Sequence, residues 1–90
     1  GSWTVRFADK RPWRARVILQ RDADPERVEV GVNSGVWTYV THEAEVSDGS
    51  REVVVELDGH WLTDQDATVT VTQHGGKRDG QGPHQVIFER

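Results

Sequence analysis

The chain has 90 residues, of which 34% are hydrophobic and 29% charged, with a net charge of −4. This length makes one small domain with a single modest core, and no apolar run approaches the roughly 18 residues of a membrane-crossing helix. The absence of cysteine excludes disulfides, thiol chemistry and thiolate zinc sites. Gly1-Ser2 reads as the remnant of a cleaved expression tag, leaving one domain over 3–90. From there the dominant apolar period is two, the period of a strand with one buried face. Trp3, Val5 and Phe7 alternate with Thr4, Arg6 and Ala8, which predicts a first strand over 3–8. After Asp9-Lys10-Arg11-Pro12, the residues Trp13, Ala15, Val17 and Leu19 mark a second strand over 13–20. Asp22 to Pro25 breaks the chain again, and Val28, Val30 and Val32 mark a third strand over 27–32.

Asn33-Ser34-Gly35 reads as a hairpin loop leading to a fourth strand over 36–42. Ser47-Asp48-Gly49-Ser50 reads as a turn, followed by Val53, Val55 and Leu57 in a fifth strand over 51–57. Val69 and Val71 belong to a Thr-rich sixth strand over 67–73. A glycine-rich loop from Gly75 to Pro83 precedes a seventh strand over 84–89. Fourteen valines and no helical period complete an all-β reading, a seven-stranded antiparallel β-sandwich.

The segment from Leu57 through Asp58-Gly59-His60-Trp61-Leu62-Thr63-Asp64 to Val71 resembles the end of a fibronectin type III domain: its fifth strand, crossover loop and sixth strand. Gly80-Gln81-Gly82-Pro83 is similar to that family's last loop. The resemblance implies a fibronectin III or immunoglobulin-like sandwich, with the second strand beside the fifth. Two family features are absent, since Leu19 or Gln20 stands at the core Trp position and Ala67 at the corner Tyr position. Trp61 falls where the crossover leucine belongs, which casts it as a plug at the end of the core.

Charge is unevenly placed. Residues 1–21 hold six basic residues against Asp9 alone, and residues 22–90 hold five basic against fourteen acidic. A tight connection over 9–11 would pair Phe7 with Trp13 and Val5 with Ala15. Arg6, Arg14 and Arg16 would then share one outer face, a basic patch suited to an acidic polysaccharide. The competing reading sets Arg14 and Arg16 opposite Glu52 and Glu56 of the fifth strand, as cross-strand ion pairs. An acidic domain of pI near 5.5 lacks the footprint of a nucleic-acid binder.

Aromatic residues carry the other candidate site. Trp3 and Trp13 fall on the apolar faces of their strands. Trp37 and Tyr39 depend on register. A three-residue loop at 33–35 pairs Val32 with Val36 and turns both rings outward, beside Arg27 and Glu29. A two-residue Ser34-Gly35 turn reverses the face and buries them. In the outward register, Trp37 and Tyr39 form a strip for sugar rings, with Arg27 and Glu29 bonding hydroxyls.

The histidines His42, His60, His74 and His84 have no ligand spacing, although His74 and His84 flank the last loop and would meet if the sixth and seventh strands paired. No serine elbow, isolated carboxylate pair or phosphate-cradling loop is present, so no catalytic residue, metal or cofactor is expected. The reading is a non-catalytic accessory module of a larger secreted, bacterial protein. Its expected partners are a polysaccharide and neighbouring domains, with no nucleic acid and no membrane insertion. The alternative is a structural spacer or protein-interaction module with no ligand of its own.

Overall fold

The computed structural model describes residues 2–7, 12–34, 39–57 and 66–90. Seven strands run in order: β1 (Ser2–Arg6), β2 (Trp13–Ile18), β3 (Arg27–Asn33), β4 (Tyr39–Glu45), β5 (Glu52–Leu57), β6 (Asp66–His74) and β7 (Gln85–Glu89). No helix occurs among the described residues. All pairings are antiparallel, in two sheets ordered β1-β6-β3-β4 and β5-β2-β7. The two inner faces meet as a sandwich, and β4 approaches β5 along one side.

The core follows from the alternation. Eight valines are buried among the described residues, including Val17, Val30, Val55 and Val69. Each stabilises the fold by about 1.5–3 kcal/mol relative to exposure. Phe7 and Leu57 add the largest buried apolar side chains. Phe7 meets the half-buried Trp13 edge to face, with ring centroids 5.2 Å apart. Trp3 and Trp13 both pack against the core, as their parity predicts. Trp61 lies outside the described residues.

Two pairings differ from the sequence expectation. First, β1 does not lie beside β2. It joins β6, with Trp3 opposite Val69 and Val5 opposite Ala67. The place beside β2 belongs to β7, where Ala15 faces Phe88 and Val17 faces Val86. In the immunoglobulin arrangement the first strand adjoins the second, and the last adjoins the sixth, so the two outermost strands have exchanged sheets. The connection between β1 and β2 is long enough to allow this. Residues 7–12 can span up to about 20 Å, enough to cross the roughly 10 Å between stacked sheets. Once across, β1 gains a hydroxyl contact from Ser2 to Thr70 at 3.4 Å and an ion pair from Arg6 to Asp66 at 3.5 Å.

Second, the β3–β4 hairpin is longer than a three-residue loop. Val32 pairs with Val40 instead of Val36, and Asn33 pairs with Tyr39. The shift is four residues, an even number, so the same side chains stay on the same face. Because β6 and β7 lie in different sheets, His74 and His84 do not face each other across a strand pair; the His84 N–H instead donates to the Ile18 carbonyl at 2.9 Å.

The connections at the β3-start end of the sandwich are tied to one another. Gln73 is fully buried on the inner side of β6. Its Nε2 donates to the Gly82 carbonyl at 3.2 Å, and its Oε1 accepts the Gln20 N–H at 3.4 Å. Arg51 donates to the Gln20, Arg21 and Ala23 carbonyls at 3.1, 3.0 and 2.8 Å, clamping the β2–β3 turn. These bonds tie the connections at that end to one another and leave the outer sheet faces open.

Candidate functional site

The outer face of the four-stranded sheet divides into two chemistries. On β3, Val28, Val30 and Val32 point into the core, so Arg27, Glu29, Gly31 and Asn33 face out. On β4, Tyr39, Thr41, Glu43 and Glu45 are exposed on the same side. On β6, Thr68 and Thr70 are exposed between buried Ala67, Val69 and Val71. Ser2 and Thr4 complete the face on β1.

The registers align these residues into rows across the strands. One row runs Thr4, Thr68, Asn33, Tyr39, and the next runs Ser2, Thr70, Gly31, Thr41. Both are uncharged and rich in hydroxyls. Further along, Glu29 lies opposite Glu43 and beside Thr72, and Arg27 lies between Glu45 and His74. Here Arg27 Nε is 3.6 Å from Glu43, and His74 Nε2 is 3.6 Å from Glu29. Like charges opposed in this way repel, and the Arg27 guanidinium beside Glu43 offsets part of that cost.

Tyr39 is the most exposed large hydrophobic residue of the described set, at 63%. Its side chain lies over Gly31: a Cβ placed there would stand 2.7 Å from the Tyr39 hydroxyl oxygen and 3.2 Å from Cζ. Glycine in the middle of a strand normally weakens it. Here the missing side chain makes room for the ring, and the ring shields the bare backbone.

Tyr39 thus faces outward, as the three-residue-loop expectation has it, but its neighbours differ. Glu29 and Arg27 share the face, four and six residues from Asn33 along β3. At strand rise these separations are about 13 Å and 20 Å. They do not flank the ring; Asn33, Thr41 and Gly31 do, because of the four-residue shift in pairing. Trp37 lies outside the described residues.

The basic patch does not form as one surface. Arg6 is on the four-stranded sheet with Asp66, and Arg14 and Arg16 are on the outer face of the other sheet. The partition follows from β1 pairing with β6. Arg16 donates to Glu89 and to Glu52, each at 2.5 Å. These two carboxylates, Glu89 foremost, hold its guanidinium above the ordinary arginine value. Arg14 lies opposite Glu56 in register and donates from Nη2 to the Arg90 carbonyl at 2.6 Å. The Arg90 guanidinium carbon in turn sits 4.5 Å from the Trp13 ring centroid. Val54 and Ile87, 41% and 39% exposed, flank Arg16 on either side.

An open cleft of about 470 Å³ lies between the β2–β3 and β4–β5 connections, lined by Asp24, Glu26, Arg27, Glu45 and Asp48. Among the described residues, no three His, Asp or Glu side chains are grouped to hold a metal ion. Thr4, Thr68, Thr70 and Asn33 escaped the sequence reading of the site. Their alternation was visible, but which strands lie side by side is a long-range property. No protein-family model, curated protein or solved structure matches this chain.

Proposed function

We propose that this domain is a non-catalytic module that binds a polysaccharide on the outer face of its four-stranded sheet. The observation that carries this reading is Tyr39, an exposed aromatic ring resting over Gly31 and bordered by the Asn33 amide and the Thr41 hydroxyl. Aromatic rings pack against the apolar faces of sugars, and amides and hydroxyls bond their rims, which is how a largely preformed site combines apolar area with a few placed polar groups. The two-sheet sandwich, read as a fibronectin III or immunoglobulin-like variant with its outermost strands exchanged, fits an accessory domain of a larger secreted protein.

Affinity electrophoresis tests the reading. The parent should be retarded in gels containing a neutral polysaccharide, and Tyr39→Ala should migrate freely with its melting temperature unchanged. Trp37→Ala belongs in the same series. Free migration of the parent across a broad panel would remove the reading.

A second reading is a protein-interaction module. It is favoured by Ile87 and Val54, which leave an apolar band on the three-stranded sheet around a charge-neutralised Arg16. Such a band is typical of a contact surface when it is contiguous.

A further inference from the structure

Resting on the polysaccharide reading, we infer that the ligand is a neutral, extended glycan that crosses the strands, running from Tyr39 on β4 over β3 and β6 to Thr4 on β1. Three features of the face lead there. The first is charge. The row Thr4, Thr68, Asn33, Tyr39 and its neighbour from Ser2 to Thr41 carry no ionisable group other than the tyrosine phenol. Beside them the face turns acidic, with Glu29 opposite Glu43 and Glu45 beyond. A uronate chain in the Thr4–Tyr39 row would have those carboxylates two rows away, about 13 Å off, and the Arg6–Asp66 ion pair on its other side, so the two neutral rows give a polyanion no cation of their own to pair with.

The second feature is spacing. Adjacent strands lie about 4.8 Å apart, and the sugars of an extended β-linked chain repeat about every 5 Å, so a chain laid across the sheet presents one sugar to each strand. A chain laid along β4 would pass from Tyr39 and Thr41 directly onto Glu43 and Glu45. It would also leave the hydroxyls of β1 and β6 unused.

The third feature is extent. Four strands offer up to four positions, with the Tyr39 ring, which leans from β4 over Gly31 of β3, stacking at one end and Thr4 meeting the sugar at the other. The Arg6–Asp66 pair borders the row on the side away from the acidic region.

Titration calorimetry with β-1,4-linked gluco-, xylo- and manno-oligosaccharides of two to six units tests this, with oligogalacturonates as the charged probes. At least one neutral series should bind, with affinity climbing to four units and level beyond. Oligogalacturonates of equal length should bind at least about tenfold more weakly. Thr68→Arg and Thr4→Arg should each weaken the neutral ligand by about tenfold, and Glu43→Arg should leave its affinity within about twofold. Melting temperatures equal to the parent's would establish that these surface variants fold. If Tyr39→Ala abolishes binding but Thr4→Arg and Thr68→Arg do not weaken it, the crossing path is wrong and the polysaccharide reading survives. Equal or tighter binding of oligogalacturonates overturns the neutral-ligand assignment. Absence of binding by every probe overturns both.

Discussion

Arg78 grips Asp22 across the gap between the β6–β7 and β2–β3 connections, with Nε 3.0 Å from each carboxylate oxygen and Nη2 2.7 Å from Oδ2. Arg78 is also the one non-glycine residue with a positive φ among the described residues, at 68°. The loop therefore holds a strained backbone position, and the ion pair is what its side chain gains there.

That pair gives the domain an acid dependence. Hydrogen bonds from Arg78 hold the Asp22 carboxyl below its ordinary value. A carboxylate depressed in the folded state adds stability above its unfolded pKa, near 4, and loses it as pH falls through the lower folded value. Arg78→Gln should therefore melt below the parent at pH 7, with the difference unchanged down to about pH 5. The gap should narrow below about pH 4. Melting curves across that range check it. A gap that widens in acid would mean Asp22 is not the group responsible.

Arg51 should be irreplaceable by lysine. Its guanidinium reaches the carbonyls of Gln20, Arg21, Ala23 and Ser50 with three nitrogens in one plane. A lysine ammonium is a single point donor and cannot span them. Arg51→Lys should cost about 1–2 kcal/mol in chemical denaturation, the scale of one or two lost hydrogen bonds. The amides of 20–23 should exchange faster with solvent.

Two glycines should respond differently to alanine. At Gly31 the added Cβ meets only the far end of the Tyr39 side chain, which can swing away. Gly31→Ala should change stability by less than about 1 kcal/mol, with the gain in strand propensity set against the lost ring contact. It should also shift the Tyr39 ring resonances and alter any glycan affinity. At Gly76, with φ +61, the Cβ would run into the Asp24 carbonyl and carboxylate. Gly76→Ala should cost at least about 1–2 kcal/mol from backbone strain alone.

Phe7→Ala should nearly unfold the domain. The ring is fully buried and packs edge to face on Trp13 at the junction of the two sheets. Removing it should cost about 3–5 kcal/mol, against a total of about 5–10 kcal/mol for a domain of this size. A melting temperature within a few degrees of the parent would show that the cavity refills.

The strand faces were legible in the sequence because alternation is local. Val28, Val30 and Val32 had to be buried together, while the face of Tyr39 stayed open between a three-residue loop and a two-residue turn. The outward alternative held despite its wrong loop length, since an even shift preserves the face. The neighbours of Tyr39 did not survive it, because four residues move a strand by about 13 Å. The sheet membership of β1 was not legible. A hairpin and a crossover leave the same pattern in Trp3, Val5 and Phe7, and nothing local to those residues tells the two apart. Arg16 came out as expected, because β2 beside β5 brings Glu52 within reach whichever strand holds the other edge.

The directions of β1 and β7 also decide how the domain would bear tension. Both strands run in the same direction, with Ser2 opposite Thr70, midway along β6, and Arg90 beside Trp13 at the end toward which both strands run. A force applied at Ser2 and Arg90 is thus directed along both outermost strands, and the rungs of each ladder share it in shear. Pulling at Ser2 and Asp79 loads the antiparallel β1–β6 pair from one end, so its rungs open one after another. Force spectroscopy should record a higher rupture force for the first geometry than for the second. A module built this way resists stretching along its chain.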